Sequence, residues 1–177
     1  MQKVMVKDAL EIIHQRKSVR SYTGEPVNRE DIEVILKAAM AAPVAIHMMP
    51  WKFIVVQDKE KLKSLSDGLP FAKMLPKAGT GIVVCAAPHE AALGKEEFAI
   101  LDCACASENI LLSAEALGLG AVWTAVYPSK ELMNFVRKEL NIPQNIIPVN
   151  IIPIGHPEGD EHSEDKYDPN NIHWGKW

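Results

Sequence analysis

Arg16-Lys17-Ser18-Val19-Arg20-Ser21-Tyr22 sets three cations and two serine hydroxyls directly after the apolar-patterned segment Leu10, Ile12, Ile13. Arginine forks and a lysine suit the oxygens of a phosphate, and serine adds a neutral donor without further charge. Basic side chains at the end of a helix equally complement its macrodipole. By itself the stretch reads as an anion site or as a helix cap, and the residues downstream of Tyr22 have to decide between the two.

The chain has 177 residues, 47% of them apolar and 24% charged, which fits one globular domain with a substantial core. A formal net charge of −4 argues against a nucleic-acid backbone as the main partner, which asks for a basic face. The cations from Arg16 to Arg20 therefore stand out locally. Met1-Gln2-Lys3-Val4-Met5-Val6 carries a charge inside a short apolar run and no small-residue cleavage pattern, so it does not read as a signal peptide. No uninterrupted apolar stretch is long enough to span a bilayer, and a cytoplasmic location is expected. Cys85, Cys103 and Cys105 form an odd set, which favours reduced, buried thiols over a disulfide framework. A helix would point Cys103 and Cys105 to nearly opposite faces, against a shared metal.

Outward from the basic stretch, the pattern mixes helices and strands. Asn28 precedes an acidic turn and then Ile32, Ile35, Leu36, Ala39 and Met40 at helical spacing, with Pro43 marking the end. Trp51–Val56 and Gly81–Ala86 read as buried strands, with a capped helix between them from Asp58 to Ser66. Phe98–Leu117 is apolar all round, which predicts a central helix covered on most sides and stopped by Gly118. Ala121–Thr124 reads as a third strand, Ser129–Leu140 as an amphipathic helix and Val149–Ile154 as the last strand. Beyond Gly155 the composition turns acidic, yet the segment ends in Tyr167, Ile172, Trp174 and Trp177. Such aromatics are costly to leave in water, so this tail is expected to dock on its own domain or on a second subunit, with a solvated, disordered terminus as the alternative.

Several chemistries are set aside. Gly118-Leu119-Gly120 lacks the third glycine of a dinucleotide fingerprint and precedes a strand. There is no Gly-x-Ser-x-Gly elbow and no Walker-type loop. His156 and His162 lie among acids without a recognisable ligand spacing, so no metal site is assigned.

In order, these segments resemble the FMN-dependent nitroreductase family over nearly the whole chain. The carrying residues are Arg16 to Tyr22, Ala38-Ala39 to Ala42-Pro43, Pro50-Trp51-Lys52-Phe53, Asp102 with Asn109, Ala114, Leu117-Gly118-Leu119-Gly120 and Trp123. Asp165-Lys166-Tyr167-Asp168 and Ile172-His173-Trp174 complete the series. The resemblance implies an α+β fold with a mainly antiparallel central sheet packed between helices, in an intertwined homodimer. Residues 1–155 would be the flavin-binding core and 156–177 an arm docking on the partner.

FMN at the dimer interface would then be the anion's owner. Arg16, Lys17, Ser18 and Arg20 match the family's phosphate and flavin positions, and Lys166 matches a basic position near the phosphate. Pro43, Val44, Ala45 and His47 correspond to a loop supplied by the second subunit. Here Val44 and Ala45 stand where serine is common after the proline, and His47 replaces an amide. His47 reads equally as a flavin contact or as a loop residue bonded to backbone. Trp123, Thr124 and Ala125 match the stretch whose backbone passes the ring, although strand core is the simpler reading of Trp123. Lys73 matches a basic position beside the pyrimidine edge only loosely, and a solvated lysine is the simpler reading.

The activity implied is ping-pong: NADH or NADPH passes hydride to the flavin N5, then a nitroaromatic, quinone or similar small-molecule acceptor takes it. The flavin carries the redox step, so no side chain is named as catalytic. The altered loop keeps open a specialised member acting in flavin breakdown or reductive dehalogenation. A flavin-binding or storage protein without turnover is the alternative of a different class.

Overall fold

The computed structural model describes residues 9–177, so the reading of Met1–Val6 lies outside the described residues. Its elements in order are α1 (Ala9–Gln15), α2 (Arg29–Ala39), β1 (Trp51–Val56), α3 (Lys59–Gly68), α4 (Leu75–Ala78), β2 (Thr80–Ala86), α5 (Glu96–Ala116), β3 (Gly120–Ala121), β4 (Thr124–Ala125), α6 (Lys130–Leu140) and β5 (Ile147–Gly155). The helix starts follow the capping logic of the sequence. Asn28 Oδ1 accepts the Asp31 N–H at 2.8 Å, and Asp58 Oδ1 accepts the Lys61 N–H at 2.9 Å. Gly118, with φ +74°, takes the left-handed turn that ends α5.

The strands run in the order β1-β2-β5-β3, with β4 also on β5, and all these pairs are antiparallel. Every residue of β2 and β5 is buried. Side chains alternate across the sheet. Ile82, Val84 and Ala86 of β2 pack with Ile152 and Ile154 of β5 against α2 and α5, around Ile35, Ala99, Cys103 and Ile110. Val83, Cys85 and Ile151 face the other way, onto Leu62, Leu65, Leu75 and Val136 of α3, α4 and α6. Helices therefore cover both faces of an antiparallel sheet, the α+β layering expected from the sequence.

Four expectations are corrected. β1 is an edge strand, with Lys52 and Val55 exposed, because it pairs with β2 on one side and, among the described residues, with no strand on the other. Ala121–Thr124 is two short strands: β3 pairs with Ile154–Gly155, β4 with Asn150–Ile151 in the same register, and Val122-Trp123 lies outside the ladder between them. Trp123, in that gap, is 37% exposed instead of in the core. α5 is covered on most sides, as expected, and keeps one exposed stripe at helical spacing along Leu101, at 61%, Cys105 and Glu108. Cys85 and Cys103 are buried thiols, but Cys105 is not.

The basic stretch leaves α1 after the Arg16 N–H bonds to the Ile12 carbonyl at 2.9 Å, and then runs extended beside β3. Val19 N–H donates to the Ala121 carbonyl at 3.0 Å, while Val19 and Tyr22 turn inward and are buried. The Tyr22 hydroxyl donates to the Val19 carbonyl at 2.7 Å. Gly120 permits this approach, because a Cβ there would meet Val19 Cγ1 at 2.6 Å. Gly120→Ala is therefore expected to cost about 1–3 kcal/mol, read as a lower urea midpoint at an unchanged m-value.

Candidate functional site

With Val19 and Tyr22 turned in, the intervening side chains line a cavity of about 950 Å³. Arg16, Lys17, Ser18 and Arg20 form one wall. The acidic arm, from Glu161 through Lys166 to Tyr167, forms the other. Cations from the two ends of the chain thus meet, although Lys166 stands 146 positions beyond Arg20 in sequence.

The cations are tethered from below. Arg16 Nε lies 3.7 Å from Glu108 and Lys17 Nζ 3.3 Å from Glu115, both on α5. These pairs draw the cluster away from a simple role as the cap of α1. Arg20 is exposed, with a guanidinium nitrogen 3.5 Å from the Ser18 carbonyl. Glu161 accepts hydrogen bonds from the Arg20 N–H at 2.9 Å and the Ser21 N–H at 3.1 Å, both through Oε1. The Arg20 amide in particular holds its carboxyl below the usual carboxylate range.

Arg20 also borders a second cavity of about 450 Å³, lined by Pro70, Phe71, Lys73, Met74, Val122, Trp123, Thr124 and Ala125. One cation therefore joins a polar compartment to a flatter, more apolar one. Thr124 contributes backbone there, because its hydroxyl is already donated to the Ile151 carbonyl at 2.6 Å. Lys73 borders this cavity and is exposed, as a solvated lysine would be. Its ammonium bonds the carbonyls of Ser66 at 2.7 Å and Asp67 at 3.2 Å, capping the end of α3.

Pro43, Val44, Ala45 and His47 line neither cavity of their own chain. They belong to an outward loop whose single 3₁₀ turn, Ala45–His47, holds Ile46 at φ +44° and His47 at φ +60°. Ala45 N–H donates to Asp102 Oδ1 at 3.2 Å, which ties the loop to α5. Ile46, His47, Met48 and Met49 are exposed.

Sequence reasoning passed over Glu161, one acid among many in the tail, although it accepts two backbone donors and lines the first cavity. It also passed over Phe71 as a cavity residue. Phe71 is an exposed aromatic in a segment without pattern, and only the fold places it opposite Trp123.

The nitroreductase family model matches residues 13–69 and 66–156, which include the basic stretch, both strands of the sheet's centre and β4. The chain belongs to the nitroreductase family. Among relatives of this family member is an Archaeoglobus fulgidus protein provisionally named NADH dehydrogenase/NAD(P)H nitroreductase. The two are 42% identical over 97% of this chain and 100% of that one. A crystal structure from Parabacteroides distasonis under the same provisional name superposes with a TM-score of 0.91 at 44% identity, covering 97% of this chain and 99% of the other. An FMN-dependent nitroreductase from Clostridium difficile superposes at 0.87 with 29% identity, covering 95% and 99%. These neighbours bear out the nitroreductase-like α+β fold.

The buried thiols of this nitroreductase-family chain are structural. Burial pushes Cys85 up to about 12 and Cys103 higher still, and the Cys103 Sγ–H bonds the Cys85 carbonyl at 3.5 Å. A folded-state pKa above the unfolded value of about 8.5 gives stability that is full below pH 8.5 and lost as pH rises toward 12. Urea midpoints are thus expected to fall across that alkaline window, with a shallower fall in Cys85→Ala. Iodoacetamide should modify Cys85 and Cys103 only on unfolding, as read by peptide mass.

Proposed function

We propose that the chain is an NAD(P)H-dependent flavin oxidoreductase that holds FMN across the two cavities joined at Arg20. That junction is the observation that carries the reading. FMN has a dianionic phosphate at one end and a flat, largely apolar ring at the other, and the chemistry of the two compartments follows the same division. Arg16, Lys17, Ser18, Arg20 and Lys166 would hold the phosphate end, with the arginines contributing directional, charge-assisted hydrogen bonds. Trp123, Thr124, Ala125, Phe71 and the stem of Lys73 would flank the ring, with β4 offering backbone at close range. When bound, the flavin supplies hydride acceptance from NADH or NADPH and onward delivery to a nitroaromatic, quinone or similar acceptor. The protein's part is to orient the ring, exclude water and place positive charge where a reduced ring gains electrons.

The loop from Pro43 to His47 supports a homodimer. It carries exposed apolar residues away from its own site, as would suit a segment that completes a partner's. The uncovered stripe of α5 at Leu101, and Trp174 and Trp177 at 89% and 98% exposure, are surfaces of the kind that a second subunit covers. The tail's aromatics lie exposed on the single chain, as would suit residues that dock on a partner. Among the described residues no helix is long and apolar enough to cross a membrane.

Purified protein loaded with FMN and mixed anaerobically with NADH or NADPH is expected to lose the oxidised flavin's visible absorbance, and to regain it on adding a quinone or nitroaromatic. Retention of FMN without reduction by either nicotinamide would instead indicate a flavin-binding protein without turnover. Arg16→Ala and Arg20→Ala are each expected to weaken FMN binding by about tenfold, measured by quenching of flavin fluorescence. Unchanged affinity in both would remove the phosphate assignment. Leu101→Glu is expected to shift the protein from dimer to monomer in sedimentation velocity.

A further inference from the structure

The arm that carries Lys166 is fastened to the body by a ladder that ends in a side chain. Thr23 N–H donates to the His156 carbonyl and Glu158 N–H to the Ser21 carbonyl, each at 3.0 Å, around the antiparallel bridge between Tyr22 and Pro157. The next donors on the basic stretch, the N–H groups of Ser21 and Arg20, meet no backbone carbonyl of the arm. Both are taken by the single oxygen Oε1 of Glu161. The hydrogen bonds described beyond this point stay within the tail, as in Tyr167 N–H to Asp165 and Asn170 N–H to Asp168. Glu161 is where the paired part of the arm ends and the wall of the 950 Å³ cavity begins.

We propose that Glu161 is a positioning residue for anion binding: it latches the arm to Arg20 and Ser21 so that Lys166 faces Arg16 and Arg20 across the cavity. The inference rests on the phosphate reading of that cavity and adds to it a residue of the opposite sign. Coulomb's law alone assigns Glu161 the reverse role, because a carboxylate lining an anion site repels the ligand. The latch and the repulsion therefore give opposite signs for its removal. They also separate two substitutions. Glutamine keeps an acceptor oxygen for both amides and discards the charge, whereas alanine discards both.

The test compares wild type, Glu161→Gln, Glu161→Ala, Lys166→Ala and the Glu161→Ala/Lys166→Ala double variant, as full-length chains. Two readouts are used: FMN affinity in all five chains, and, in wild type, Glu161→Gln and Glu161→Ala, which keep Lys166, the rate of tryptic cleavage after it without flavin. If Glu161 is the latch, Glu161→Ala weakens FMN by about tenfold, close to the loss in Lys166→Ala, and the double variant is little worse than either single one. The same variant is cleaved after Lys166 several-fold faster, while Glu161→Gln binds FMN at least as well as wild type and resists trypsin like wild type. Tighter FMN binding in Glu161→Ala, losses that multiply in the double variant, or unchanged cleavage would each overturn the latch. A wild type that takes up no FMN would overturn the flavin reading. The cleavage rates would still decide the latch, and protection by inorganic phosphate would decide whether it serves an anion.

Discussion

The seating of Val19 on Gly120 fixes the geometry of the site. One backbone hydrogen bond to Ala121 and the space left by a missing side chain allow an extended segment to lie against β3 at close range. Once Val19 is turned into the interior, the alternation of an extended chain places its neighbours Ser18 and Arg20 outward, on the cavity side. The position of β3 depends in turn on β5, and β5 is buried along its whole length between two helical layers. Core packing thus reaches the ligand wall through two residues, without a flexible loop between them.

The fold was legible where one periodicity dominated. α2, α3 and α6 announce themselves by a capping side chain and an amphipathic repeat, β2 by an apolar run and β5 by one broken at Asn150. The misreadings have a common physical source. β1 and Trp123 are apolar in sequence but lie at a sheet edge and in a gap of the ladder. Hydrophobicity alone does not tell a residue buried in its own chain from one left at a surface.

The site was legible in its cations and less so in its limits. Arg16, Lys17, Ser18, Arg20 and Lys166 do converge, and Trp123 to Ala125 do line a cavity, although nothing local in the sequence links the two groups. Lys73 was named for its charge, and its role as a cap for α3 depends on a turn that places its ammonium over two carbonyls. Glu161 was hidden by its neighbours. In a run of acids the one that meets two backbone donors has no mark in the sequence, since the donors come from residues 140 and 141 positions away.

The ion pairs beneath the cluster have a consequence for recognition. Arg16 and Lys17 are each held by a carboxylate of α5, so two long side chains surrender much of their rotameric freedom before any ligand arrives. An entering anion need not order them, and the entropy of assembling that part of the site is already settled in the folded protein. The same carboxylates offset part of the local positive field. Under the proposed phosphate reading, the cavity would select by shape and hydrogen-bond direction more than by attraction at a distance, and a singly charged ion that cannot reach several donors at once would gain little there.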